Sequence, residues 1–104
     1  MDLNSKIQAL SKKEKYWYDL FDNYCKKENK QCAASIEIKL DNDIENDTYN
    51  SFFTKDLTLN LTRLHKKGIL GRYNLGGYKT GFVIFYYPHL TLEQAESNFR
   101  ASHK

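Results

Sequence analysis

Lys55, Arg63, Lys66, Lys67, Arg72 and Lys79 share the stretch between positions 55 and 79 with one acid, Asp56. Cations at that density suit one chemistry above others, the neutralisation of phosphate. Thr58 and Thr62 set hydroxyls among them, which can bond phosphate or touch a thymine methyl. Tyr73 and Tyr78 flank Gly76 and Gly77, a place from which rings can stack on unpaired bases. The plainer alternatives are a solvated charge run and an ordinary cross-strand tyrosine pair. Other chemistries are poorly represented. Cys25 and Cys32 lie seven residues apart with no CxxC partner, and His65, His89 and His103 are scattered, so no zinc site, redox pair or cofactor site is encoded locally. No Ser-His-Asp, Cys-His, paired-carboxylate or phosphate-loop constellation is present, which makes an enzyme the weakest reading. Asp41, Asp43 and Glu45 could in principle hold a cation but read more simply as solvated loop acids.

The net charge of +3 conceals an asymmetry. Residues 1–53 hold eight Lys against ten Asp or Glu, whereas residues 54–104 hold eight Lys or Arg against three acids. At 104 residues, 40% of them hydrophobic, the chain is sized for one domain spanning 1–104, with residues 1–10 expected as a flexible terminus. The longest apolar run, Phe82 to Tyr87, has six residues, far short of the roughly 20 that cross a bilayer. The opening "MDLNSKIQALSKKEK" lacks the apolar core of a secretory signal, so a cytoplasmic location and reduced thiols are expected.

The elements that would position the cations follow from local signals. Ser11 stands three residues before Glu14, a capping box that predicts a helix from about Ser11 to Lys27 with Trp17, Leu20, Phe21 and Tyr24 on its buried face. Between Ala33 and Leu40, alternation favours a short strand while Ala33, Ala34, Ile36 and Leu40 also fit one helix face, and both remain open. Asp41 to Ser51 is rich in turn formers and reads as an acidic surface loop. Thr54 is the expected cap of a helix running to Lys67, stopped by Gly68. Leu57, Leu61 and Leu64 fall on one side of it, and Lys55, Leu59, Thr62, Arg63 and Lys66 on the other, flanked by Thr58. Next comes a hairpin with arms at Ile69–Asn74 and Phe82–Tyr87, the second apolar on both faces. Thr91 and Gln94 repeat the capping box before a closing helix with Leu92, Ala95 and Phe99 on one face, suited to dock on the first helix or on a second copy.

The segment "TKDLTLNLTRLHKKGILGRYNLGGYKTGFVIFYYP", about 35 residues, resembles the recognition helix and wing of winged helix-turn-helix proteins, "LTRLHKKGIL" being similar to that family's passage from recognition helix into wing. The resemblance implies an α+β winged-helix fold: helix, short element, helix, recognition helix, two-stranded wing and C-terminal helix. It further implies that the helix at 54–67 reads a major groove while the wing at 69–87 touches backbone or an adjacent minor groove. Carried onto this chain, the DNA-contacting surface is Lys55, Thr58, Thr62, Arg63 and Lys66 on the helix and Arg72, Tyr73, Tyr78 and Lys79 on the wing.

The leading functional expectation is a non-enzymatic double-stranded-DNA-binding protein, most simply a homodimeric transcriptional regulator whose terminal helices make the dimer contact. Two recognition helices would then stand about 34 Å apart. The alternative is a winged-helix module that binds a protein partner through Leu59 and the aromatic strand 82–87, or single-stranded DNA, in replication of a plasmid, phage or mobile element. If about six cations meet phosphates, log affinity against log salt should slope near −5, at roughly −0.9 per contact.

Overall fold

The Ser11 hydroxyl accepts the Glu14 amide at 3.1 Å while the Glu14 carboxylate accepts the Ser11 amide at 3.0 Å, so the expected capping box is formed on both sides. The structure is a computed structural model that describes residues 3–46, 53–74 and 83–101, with backbone only at 43–46 and 53–54. Its elements are α1 (Leu3–Gln8), α2 (Lys12–Glu28), β1 (Cys32–Ala34), α3 (Ser35–Asn46), α4 (Phe53–Lys66), β2 (Gly71–Asn74), β3 (Val83–Tyr86) and α5 (Leu92–Ala101). The fold is therefore α+β, helices around a three-stranded antiparallel sheet ordered β1-β3-β2.

Helix α2 buries Tyr18, Phe21, Tyr24 and Cys25, with Trp17 and Leu20 packed at the edge of the core. The buried stripe is thus turned from the expected one, because Tyr18 and Cys25 flank Phe21 at i−3 and i+4 and complete a tighter face. The chain leaves α2 through Asn29, whose φ of 55° is left-handed, with its amide donating to the last carbonyls.

In the ambiguous stretch after it, Ile36, Ile38 and Leu40, whose alternation favours a strand, are helical, and the strand lies just before them. Cys32–Ala34 is a strand paired with β3, and Ser35 starts a helix whose first turn is fastened by the Glu37 carboxylate accepting the Ala34 amide at 2.8 Å. That helix runs to Asn46, so residues 41–46, expected as loop, are helical, and the rest of the expected loop lies outside the described residues. Polar composition misleads here because Ile38, 2% exposed, anchors one face and Lys27 holds Asp41 at 2.7 Å on another. At the amino terminus the structure also departs from expectation. Residues 3–8 form a helix, and Leu3, Ile7 and Leu10, spaced i, i+4 and i+7, pack against the core.

In α4, Leu57, Leu61 and Leu64 are all fully buried, as their spacing predicts. The helix begins at Phe53, which makes Thr54 a first-turn residue rather than the cap. Its end is as expected: Gly68 turns at φ 79°, and the amides of Gly68 and Ile69 return to the His65 and Leu64 carbonyls at 2.9 and 3.1 Å. Ile69 and Leu70 are buried, and strand pairing begins only at Gly71.

Strand β3 is the centre of the sheet and is covered on both faces. Ala33, Val83, Phe85 and Tyr87 face the core built by α2, α3 and α4, whereas Cys32, Ala34 and Ile84 face Phe99 of α5, with Tyr73 and Tyr86 alongside. Gly71 is needed within this second layer, because a Cβ there would lie 2.0 Å from the Tyr86 ring. Helix α5 carries its Thr91–Gln94 capping box and buries Ala95 and Phe99, but Leu92 is 48% exposed. It docks on the chain's own sheet rather than on the first long helix. Val83, Ile84 and Phe85 of the aromatic strand are buried in the core, whereas Tyr86 and Tyr87 are half-buried.

Candidate nucleic-acid interface

Helix α4 is held by three buried leucines, so its opposite side is fixed in space. Lys55, Arg63 and Lys66 are exposed there, and no described residue pairs with any of them. Several cations elsewhere behave differently. Lys15 meets Asp19 at 3.3 Å, Lys26 meets Asp22 at 2.8 Å, Lys27 meets Asp41 at 2.7 Å and Lys30 meets Glu37 at 3.3 Å. Lys67, next to Lys66 in sequence, is bound by Glu14. Lys55, Arg63 and Lys66 thus meet no acid among the described residues, a property they share with the exposed Lys12 and Lys13 of α2.

Thr62 and Arg72 are brought together across the junction of helix and strand: the Arg72 Nε donates to the Thr62 hydroxyl at 3.0 Å. This uses one edge of the guanidinium and leaves the two terminal nitrogens, whose fork geometry suits two phosphate oxygens. Sequence periodicity alone did not indicate this bond, because it joins two elements whose relative placement depends on the turn at Gly68.

Two expected contacts change. Thr58 is 6% exposed and belongs to the buried side of α4, beside the leucine stripe. It cannot touch a duplex. Tyr73 is half-buried against Tyr86, ring centroids 6.2 Å apart, and burial pushes its hydroxyl up to about 12. Its ring serves the second layer of the sheet and is not free for a base. Tyr78 and Lys79 lie outside the described residues.

Glu14 was not singled out by its chemistry, yet it is the most perturbed acid described. The hydrogen bond from Lys67, joined by the Ser11 amide, lowers it from an ordinary 4.5 to about 2. Glu37 is a second junction, accepting the Ala34 amide at 2.8 Å, Lys30 at 3.3 Å and the Tyr24 hydroxyl at 3.4 Å. Both tie helices together.

Cys25 and Cys32 are free thiols in the interior, where burial pushes them up to about 12 and about 11. Among the described residues no three His, Cys, Asp or Glu side chains gather as a metal site would require. No helix of the described residues is long and apolar enough to cross a membrane. Comparison with known proteins finds no matching family model, no matching curated protein and no matching solved structure.

Proposed function

We propose that this chain is a winged-helix protein that binds double-stranded DNA without catalysing a reaction, and that it acts as a transcriptional regulator. The element order supports the fold reading: helix, strand, helix, helix, then a two-stranded hairpin whose second strand lies between the first strand of the chain and its own partner. The observation that carries the functional reading is the cationic side of α4, whose Lys55, Arg63 and Lys66 meet no acid among the described residues, with Arg72 fastened beside it. On this view α4 enters the major groove, Arg63 contacts phosphate or a guanine edge, Lys55 and Lys66 contact phosphate, and the Arg72 fork holds a phosphate at the groove lip. Symmetric operator sites would need two copies, and a homodimer is part of the proposal.

The test is a salt-titrated binding assay on duplex and single-stranded DNA, run beside a light-scattering mass. Lys67 is held by Glu14, which leaves Lys55, Arg63, Lys66, Arg72 and Lys79, so the expected log–log slope is about −4.5 per protomer. Duplex should be preferred, because the packing of Tyr73 withdraws one of the two rings that a single strand would stack on. A slope near zero would remove the electrostatic basis of the proposal. Strong preference for single strands would move the site from the helix face to the hairpin tip.

A further inference from the structure

Four large apolar side chains are well exposed among the described residues, and three are scattered singly: Tyr16 on α2, Leu40 on α3 and Leu92 on α5. The fourth, Leu59, is 50% exposed and sits within the cationic side of α4. Its helical neighbours at i−4, i+3, i+4 and i+7 are Lys55, Thr62, Arg63 and Lys66, of which Thr62 is already occupied by Arg72. Leu59 therefore stands alone among charged groups. No second exposed apolar side chain is described on that face, and one leucine is far smaller than the few hundred Å² of contiguous apolar surface that marks a protein-docking patch. A phosphate-binding surface has no use for it either.

One apolar group of matching size exists on a duplex. The major groove displays donors and acceptors from every base pair, and a methyl group only from thymine. With Lys55, Arg63 and Lys66 drawn to phosphates on either side, the residue between them is carried toward the groove floor. We infer that Leu59 packs on the thymine methyl and is a specificity-determining residue that biases the α4 face toward A·T pairs, an inference that rests on the duplex-binding proposal above.

The experiment enriches duplexes from a random pool with the full chain. It then measures wild type and Leu59→Ala on an enriched duplex and on the same duplex with dU replacing every dT. Wild type should bind the dU duplex about four-fold more weakly, the effect expected for one methyl left in water. Leu59→Ala should bind both duplexes equally, at the wild-type level on dU. Alanine favours helix at this exposed position, so the variant keeps its fold, which a thermal melt checks. Equal wild-type binding to the two duplexes, or the same loss in both proteins, overturns the inference while duplex binding stands. Enrichment of no duplex at all overturns the duplex proposal, and this inference with it.

Discussion

At the scale of single residues, Glu14 shows how an acid outside the candidate interface shapes it. Its carboxylate closes the cap of α2 and binds Lys67 just past the end of α4, so the first long helix is fastened to the end of the proposed groove-reading one. The same pairing removes Lys67 from the cations free to meet phosphate. The sign of its pH dependence follows from the lowered value. A carboxyl that titrates near 2 in the folded chain and near 4.5 when unfolded stabilises the fold fully above about 4.5, and that stabilisation disappears as pH falls toward 2. Glu14→Gln keeps a capping side chain and loses the charge. Thermal melts should therefore place wild type above Glu14→Gln at pH 6, with the gap closing as pH falls through this window and lost only below about 2. A gap that is constant with pH would mean that the ion pair contributes nothing and that the two proteins differ only in cap geometry.

Among elements, the junction of α4 and β2 matters most to the proposed interface. The bond from Arg72 to the Thr62 hydroxyl sets where the strand's cation stands relative to those of the helix. Thr62→Val keeps the branched shape and deletes the acceptor, whereas Thr62→Ser restores it. Duplex affinity should fall several-fold in the valine variant and recover in serine, while stability moves by only about 1 kcal/mol, the usual worth of one neutral-acceptor bond. If valine and wild type bind alike, Arg72 needs no positioning by Thr62. This bond also marks the limit of what local sequence reveals. Capping boxes at Ser11 and Thr91, the leucine stripe of α4 and the stop at Gly68 were legible, because each is written within a few residues and formed by those residues alone. Long-range features were not. The strand at Cys32–Ala34 exists because β3 offers it a ladder, α3 continues through an acidic stretch because Ile38 is anchored, and Thr58 is buried by packing that its place on the helix alone does not reveal. Tyr73 followed the same rule. Its spacing suggested a tip residue, and its partner across the sheet made it part of the second layer.

For the whole molecule, charge is segregated by pairing more than by count. The described ion pairs draw their cations from Lys15, Lys26, Lys27 and Lys30, in and just beyond α2, and from Lys67, whereas the outward side of α4 gives none to them. A field that is partly cancelled by ion pairs along α2 and not so cancelled among the described residues of α4 would favour approach of a polyanion to the α4 face, even at a net charge of only +3. Net charge alone would then be a poor predictor of binding, and the position of a reversed charge a good one. The double reversal Arg63→Glu with Lys66→Glu changes net charge by the same amount as Lys12→Glu with Lys13→Glu, two exposed lysines at the start of α2. If binding follows the α4 face, the first pair should abolish measurable duplex binding. The matching neutral pair, Arg63→Gln with Lys66→Gln, should make the salt slope shallower by about 1.8. The α2 pair should leave the slope unchanged and lower affinity only modestly, through the long-range field that salt near 0.15 M screens within about 8 Å. Equal losses from the two reversals would show that duplex is attracted by overall charge and that α4 has no privileged role, which would end the groove-reading proposal even if DNA binding itself were strong.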